Sequence, residues 1–225
     1  MLGGNNQTTP GAQFVGTTDN QALEFKVNSG RALRLEPNAT SPNLIGGWQG
    51  NSVGGGAAGA VISGGGGSGS ANAANGNYSA IGGGAGNVID SGGAEATIAG
   101  GATNHIQTGA DTSAIGGGYG NSISCRGSTI AGGWQNVALA CFGSIGGGTR
   151  NWIQGGSYCT IAGGYGNAAL NSWDYETIGG GAYNTNAAPY STVPGGFQKR
   201  VIERQRVRLM APTGIKINEV SGYSR

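Results

Sequence analysis

An isoleucine followed by glycines and then an asparagine recurs along most of this chain, and this repeat constrains the fold more than any other feature. The segment "SAIGGGYGN" at 113–121 returns as "STIAGGWQN", "GSIGGGTRN", "CTIAGGYGN" and "ETIGGGAYN". Its apolar residues are Ile45, Ile62, Ile81, Ile98, Ile115, Ile130, Ile145, Ile161, Ile178 and Val193, separated by 15 to 19 residues and mostly by 15 to 17. Such a period is typical of a solenoid, in which each repeat forms one turn and neighbouring turns stack.

Two further rows accompany the isoleucines. An asparagine stands six positions after most of them: Asn51, Asn87, Asn104, Asn121, Asn136, Asn151, Asn167 and Asn184, with interruptions at Ser68 and Lys199. A second apolar row follows two positions later: Val53, Ile89, Ile106, Ile123, Ala138, Ile153 and Ala169. We predict that the isoleucines point inward and stack on their own copies. We predict that the asparagines occupy a turn, because a short amide tolerates a left-handed backbone and can bond along the stack.

The glycine content narrows the fold class. Glycine accounts for 50 of the 225 residues, and 10% of the chain is charged. Ordinary helices are unfavourable, because each interior glycine costs about 1 kcal/mol relative to alanine. The regular period argues against a disordered low-complexity chain. We therefore predict an all-β fold, a parallel β-roll or β-solenoid of about ten turns of 15–17 residues. The rival, a left-handed hexapeptide helix of about 18 residues per turn, is disfavoured by the uneven period and the missing six-residue subrepeat.

Turns this short enclose a thin core, which favours association. Two strands of about five residues bring little more than one row of side chains from each wall. We expect the glycine-rich wall of one chain to pack against that of the next. The simplest arrangement is a homotrimer with the stacked isoleucine rows at its centre.

The two ends differ from the repeat domain at 41–198. In the N-terminal segment, 1–40, the alternation from Leu23 to Val27 and from Ala32 to Leu35 predicts a β-hairpin with one buried face, turning at Asn28-Ser29-Gly30. The basic C-terminal segment, 199–225, predicts two more strands near 207–210 and 215–217. We expect both ends to form short β caps on the rod, because an uncapped solenoid exposes its last ladder.

The quoted residues resemble a known group of proteins. The repeated "I-G/A-G-G-x-x-N-x-I" turns are similar to the β-roll heads of trimeric-autotransporter adhesins, and more closely to head-like repeats of phage and cyanobacterial fibre proteins. In such fibres, stretches similar to "FVGTTDNQALEFKVNSGRALRLEPN" (14–38) and "RVRLMAPTGIKI" (206–217) flank the repeats. The resemblance implies a homotrimeric, left-handed parallel β-roll that is displayed outward and binds a surface. We expect no leader, anchor or self-cleaving chaperone domain, an expectation that favours a virion or injection-machine fibre over a cell-anchored adhesin.

An aromatic row is the main candidate for receptor binding. Four positions after the isoleucine stand Trp48, Tyr119, Trp134, Tyr165 and Phe197. Exposed rings at this spacing would form a platform for sugars. Alternatively, the rings pack between chains or cover the ends of the isoleucine rows. We favour this structural interpretation, because half of the turns lack an aromatic residue and alternation does not fix where this position points.

Other candidate residues carry weaker signals. Asp174 and Glu176 would share a face of a strand, and with Asp111 they are the candidates for a glycan hydrolase. His105 is interpreted as an ordinary exposed residue. Cys125, Cys141 and Cys159 cannot all pair within one chain, and with a single histidine a zinc site is not expected. We expect no cofactor and no metal.

The sequence therefore predicts a non-enzymatic trimeric fibre protein of a phage tail or related injection machine, located in the virion tail or otherwise at an extracellular or cell surface. Its expected partners are its own copies, other fibre or baseplate proteins, and a host surface glycan or protein. A net charge of +2 does not favour nucleic acid, and no apolar run is long enough for membrane insertion. The alternatives are a fibre-borne glycan hydrolase and a bacterial surface adhesin.

Overall fold

A computed structural model describes residues 9, 11–12, 14–170 and 174–202, and within them the chain is all-β, without helices. The strands form two sheets, A and B, of twelve and ten strands. In chain order they are β1 (Leu23–Val27), β2 (Gly30–Glu36), β3 (Asn43–Gly46), β4 (Ser52–Val53), β5 (Val61–Ile62), β6 (Ala73–Ala74), β7 (Ala80–Ile81), β8 (Val88–Ile89), β9 (Thr97–Ile98), β10 (His105–Ile106), β11 (Ala114–Ile115), β12 (Ser122–Ile123), β13 (Thr129–Ile130), β14 (Val137–Ala138), β15 (Ser144–Ile145), β16 (Trp152–Ile153), β17 (Thr160–Ile161), β18 (Ala168–Ala169), β19 (Thr177–Ile178), β20 (Thr185–Ala187), β21 (Thr192–Val193) and β22 (Arg200–Ile202).

The two sheets are the walls of a parallel β-solenoid of about ten turns. Sheet A contains β1 to β3 and the odd-numbered strands up to β21, and sheet B contains the even-numbered strands from β4 to β22. From β3 onward every pairing is parallel and joins a turn to the next one. Ile115, for example, lies in register between Ile98 and Ile130. The predicted fold class and the stacking of the isoleucines are confirmed.

The isoleucine rows of both sheets fill the interior of a single chain. Ile81, Ile98 and Ile130 from sheet A are fully buried, as are Ile89, Ile106 and Ile123 from sheet B. Each such side chain contributes about 1.5–3 kcal/mol through burial. The expectation that these rows lie on an axis shared by several chains is wrong, because the two walls of one chain already enclose them.

The buried asparagines form a hydrogen-bonded ladder beside the isoleucines. The Nδ2 of Asn121 donates to the carbonyl oxygens of Gly117 (2.9 Å) and Gly133 (3.1 Å) and to Oδ1 of Asn104 in the preceding turn (3.1 Å). The Oδ1 of Asn121 accepts from the backbone N–H of Asn136 at 2.9 Å. The prediction of amide bonding along the stack is confirmed. Asn87, Asn104, Asn136, Asn151, Asn167 and Asn184 occupy equivalent buried positions.

Two details of the predicted asparagine row need correction. The ladder asparagines do not adopt the left-handed backbone; from Asn87 onward the residue before each of them does, as at Gln135 (φ 53°) and Arg150 (φ 55°). The ladder also passes through Asn72, not the Ser68 position. Asn72 donates its backbone N–H to Asn51 Oδ1, and its own Oδ1 accepts from the N–H of Asn87. Four additional residues before Asn72 displace it from the six-residue spacing.

Glycine allows neighbouring turns to approach closely. At Gly118, where φ is 85°, a Cβ atom would overlap the carbonyl oxygen of Gly133 in the next turn. The predicted role of glycine in close backbone approach is confirmed, but the observed partner is the next turn of the same chain. Most of the glycine runs are therefore explained within one chain, without a second chain against them.

The N-terminal hairpin extends sheet A. Strands β1 and β2 pair antiparallel, and β2 pairs antiparallel with β3. Asn28 and Ser29 occupy the turn with positive φ, where the sequence places it. The apolar face expected to be buried is partly open, because Phe25 is 44% and Val27 72% exposed. At the other end, β22 extends sheet B; the strands predicted near 207–210 and 215–217 lie outside the described residues.

Candidate functional site

The predicted aromatic row lies on the surface, along the turns that lead from sheet A to sheet B. We call this side of the solenoid the first edge; in each turn it comprises the residues between the sheet A isoleucine and the ladder asparagine. The exposed fractions are 39% for Trp48, 41% for Tyr119, 48% for Trp134, 37% for Tyr165 and 61% for Phe197. Parallel backbone bridges align the row from Ala85 to Phe197. Tyr119, Trp134 and Tyr165 lie along the middle of the rod and so do not cover the ends of the isoleucine rows.

Most rings of the first edge contact another ring. Tyr119 and Trp134 stack with centroids 4.4 Å apart. Tyr165 and Phe197 both contact Tyr183 edge to face, at 5.1 and 6.1 Å. The hydrogen bond between Tyr165 and Tyr183 lowers the pKa of Tyr165, with a further contribution from Arg150, and raises the pKa of Tyr183. These contacts occupy ring faces that a flat ligand would need.

Trp48 differs from the rest of the row. It lines an open cavity of about 480 Å³ between the hairpin and the first turn of the solenoid, together with Glu24, Lys26, Arg31 and Gln49. The Nη2 of Arg31 donates to the carbonyl oxygens of Gln49 (2.7 Å) and Asn51 (2.8 Å). Arg31 thereby holds the hairpin against the start of the asparagine ladder. Sequence reasoning named Trp48 but not its charged neighbours, which come from a separate segment.

A second aromatic column lies on the opposite side, along the turns that lead from sheet B back to sheet A, which we call the second edge. Phe142, Tyr158, Tyr175 and Tyr190 stack in consecutive turns, with centroids 5.0, 5.2 and 5.5 Å apart. All four rings are exposed, from 40% at Phe142 to 76% at Tyr190. The sequence analysis missed this column. Its signal in the sequence is an aromatic residue three positions before the sheet A isoleucine of successive repeats.

The second-edge aromatics sit on an unusual backbone. Phe142 (φ 54°), Tyr158 (φ 60°) and Tyr175 (φ 64°) are left-handed, a conformation that costs a non-glycine residue about 1–2 kcal/mol. Glycine occupies the equivalent position at Gly127. The turn therefore requires a left-handed residue but not an aromatic one. Stacking between the rings offsets part of the strain.

The acidic candidates for glycan hydrolysis do not form a carboxylate pair. Oδ1 of Asp111 accepts from the backbone N–H of Ala94 (3.0 Å), and Oδ1 of Asp174 accepts from that of Ser157 (2.7 Å). The two aspartates occupy equivalent positions of the second edge, four turns apart. At about 4.8 Å per turn their separation is roughly 19 Å. Paired carboxylates of glycosidases stand about 5–9.5 Å apart. Each carboxylate instead satisfies a backbone donor of the preceding turn.

Asp174 and Glu176 do not share a face, contrary to the sequence prediction. Both precede β19 rather than lying in it, and the left-handed Tyr175 between them breaks the strand alternation. The side chain of Glu176 is consequently fully buried inside the solenoid, whereas Asp174 is half-buried at the surface. The two carboxylates therefore lie on different sides of the chain wall.

Two of the three cysteines are paired. Cys125 and Cys141 form a disulfide between adjacent turns of the second edge, and their Cα atoms are 4.7 Å apart. Cys159 is buried in the next turn with a free thiol. Burial raises the pKa of this thiol, and the nearby carboxylates of Glu176 and Asp174 raise it further. The sequence alone establishes only that the three cysteines cannot all form disulfides within one chain.

The side chain of His105 is 41% exposed, and its Nε2 lies 3.0 Å from Oδ2 of Asp90. Over residues 9, 11–12, 14–170 and 174–202, no group of three or more His, Cys, Asp or Glu side chains is placed to hold a metal ion. The same residues contain no helix of the length and hydropathy needed to span a membrane.

Comparison of the sequence with protein-family models and with curated proteins finds no match.

Proposed function

We propose that this chain is a non-enzymatic fibre segment of a phage tail or related injection machine, which assembles as a homotrimer and attaches to a host surface glycan. One observation carries the proposal: an almost uncharged β-solenoid displays aromatic side chains along two edges. Between residues 44 and 198 there are two basic and five acidic residues. At about 4.8 Å per turn the rod is roughly 45 Å long. The sequence resemblance to fibre and adhesin heads supports the same role.

The outer face of sheet A supports association with further copies. In every turn, the residues before and after the buried isoleucine are uncharged; Thr160 and Ala162 are an example. The face is therefore uncharged. It continues onto the apolar side of the hairpin, where Phe25 pairs with Leu33 and is 44% exposed. An uncharged face of this kind, next to an exposed apolar side chain, is suited to pack against another copy.

Three copies joined through these faces would enclose the sheet A faces at a central axis. The two edges and sheet B would remain at the outside. Each trimer then presents three identical sets of edge residues on one rigid rod. Weak attachment at each set becomes strong in combination, because the second and third contacts form at high effective concentration.

The solution mass tests the assembly. We expect light scattering to give the mass of three chains of 22.1 kDa each. Thr160→Arg, which places charges in the proposed interface, should reduce the mass to one chain. Ala168→Arg, in the same turn but on the outer face of sheet B, is the matched control and should stay trimeric. A wild-type mass of one chain contradicts the trimer.

Binding to arrayed glycans and to intact cells tests the attachment, and wild-type protein that binds neither contradicts it. The non-enzymatic character is tested separately, by incubation with the glycans that bind. We expect no release of reducing sugar. Release that is lost in Asp174→Asn would instead assign a hydrolase.

A further inference from the structure

The open cavity beside Trp48 is large enough to hold a small ligand. Its volume of about 480 Å³ falls within the roughly 300–1,000 Å³ typical of ligand pockets. Its walls come from two different elements, the β1–β2 hairpin and the first turn of the solenoid. Here the first edge borders the hairpin and forms a recess.

Trp48 supplies an aromatic surface to this recess. Among the described residues, no other ring stacks on it, whereas Tyr119 and Trp134 cover each other. Two glycines leave room for the Trp48 side chain: a Cβ at Gly50 would lie 2.7 Å from its Nε1, and a Cβ at Gly66 would lie 2.9 Å from the Trp48 Cβ. Trp48 is 39% exposed. An exposed aromatic face is a surface on which the C–H side of a pyranose ring packs.

The polar side chains of the recess are suited to hydroxyl groups. Lys26 and Glu24 lie 3.3 Å apart and largely neutralise each other. Nη2 of Arg31 donates to the carbonyl oxygens of Gln49 and Asn51, which anchors the guanidinium, while its Nε is buried without a hydrogen-bond partner among the described residues. Gln49 is exposed and offers both a donor and an acceptor. Donors and acceptors are thus mixed, and the remaining positive charge is that of Arg31, whose Nη2 is already bonded to the two carbonyl oxygens.

We propose that this recess binds a neutral saccharide, one or two pyranose units, with a sugar ring on Trp48 and its hydroxyl groups on Gln49, Lys26 and Glu24. The inference rests on the proposed attachment to glycans and gives it a defined site at the hairpin end of the rod. It also separates Trp48 from the rest of the first-edge row, whose stacked rings offer less free surface.

Ligand-observed saturation-transfer NMR on the full chain tests the site, with neutral disaccharides of glucose, galactose and N-acetylglucosamine, and a sialylated trisaccharide as the acidic comparison. We expect at least one neutral sugar to bind. Trp48→Ala should weaken that binding by roughly tenfold or more, because the stacking surface is lost. Trp134→Ala, in the same row but outside the recess, is the control and should bind as the wild type does. Gln49→Ala changes only an exposed side chain and should also weaken binding. This variant carries the test if Trp48→Ala proves unstable.

The outcomes separate this inference from the proposed function. Saccharide or cell binding that survives both Trp48→Ala and Gln49→Ala overturns the recess but leaves glycan attachment intact. Preference for the sialylated sugar overturns the assignment of a neutral ligand. Wild-type protein that binds no sugar at about 10 mM, well above typical Kd values, overturns the recess. If that protein also fails to bind glycan arrays and cells, the attachment function fails with it.

Discussion

Nδ2 of Asn136 donates to Oδ1 of Asn121 in the preceding turn at 3.2 Å, and to the carbonyl oxygens of Gly132 and Gly148. The same amide therefore has three acceptors around its nitrogen. Its oxygen in turn accepts from Asn151. Each buried amide is satisfied only because the next turn repeats it, which fixes the register of every turn against its neighbours.

Asn136→Asp should strongly destabilise the chain. The change replaces the donating nitrogen with an oxygen that faces three acceptors in a buried site. We expect the free energy of unfolding to fall by about 3 kcal/mol or more. Urea denaturation followed by circular dichroism measures it. Gln135→Glu, the exposed neighbour, is the control and should change stability by less than about 0.5 kcal/mol. Equal denaturation midpoints for the two variants would contradict the ladder.

A second prediction concerns the contribution of the isoleucine row to stability. Ile130 is fully buried, whereas Thr129, the preceding residue of the same strand, is exposed. Ile130→Ala should cost about 2–5 kcal/mol, because it leaves a cavity between the two walls. Thr129→Ala should have little effect on the unfolding of a single chain. A small loss for Ile130→Ala would show that this side chain is not part of the core.

Gly118 and Gly100 distinguish glycines that the close approach of neighbouring turns requires from glycines that have open space around them. Gly118→Ala places a Cβ against the carbonyl oxygen of Gly133, on a backbone with φ of 85°. We expect a severe loss of thermal stability or failure to fold. Gly100 has open space around its would-be Cβ and no positive φ, so Gly100→Ala should be neutral or stabilise by up to about 1 kcal/mol. Comparable Tm values for both variants would refute the close approach between turns.

The sequence predicts those features that repeat at the period of the turn. The isoleucine and asparagine rows are visible because stacked turns place identical residues side by side. Asn72 is hidden, because four inserted residues shift it in sequence while the hydrogen-bond ladder keeps it in place in space. The direction of the glycine contacts is also hidden, since a row of small residues fits a neighbouring turn and a neighbouring chain equally well.

The candidate sites are less predictable. The first-edge aromatics can be found from spacing, but whether two rings cover each other depends on side-chain rotamers. The Trp48 recess combines the hairpin and the first turn, which no periodic pattern connects. The pair Asp174 and Glu176 fails because one left-handed residue between them, Tyr175, reverses the side on which the next side chain lies.

The second-edge stack predicts that its ring contacts contribute to stability. Tyr158 stacks on both Phe142 and Tyr175. Tyr158→Ala keeps the left-handed backbone but removes two ring contacts, each worth about 0.5–1.5 kcal/mol. Tyr78, in the same column, stacks on no ring among the described residues, and Tyr78→Ala is the matched control. We expect a lower Tm for Tyr158→Ala than for Tyr78→Ala. Equal values would show that the stacked rings contribute nothing to stability and leave binding as their remaining role.

Thiol labelling tests the cysteine arrangement and its pKa together. The disulfide leaves Cys159 as the free thiol of the three. Burial raises its pKa, so the folded protein holds this thiol protonated and inaccessible, and only the thiolate reacts. An alkylating reagent near pH 8 should therefore modify no cysteine in the folded protein. The same reagent should modify one per chain in denaturant without reductant, and three after reduction. Labelling of the folded protein would contradict the buried position of Cys159, and three labelled thiols without reductant would contradict the disulfide.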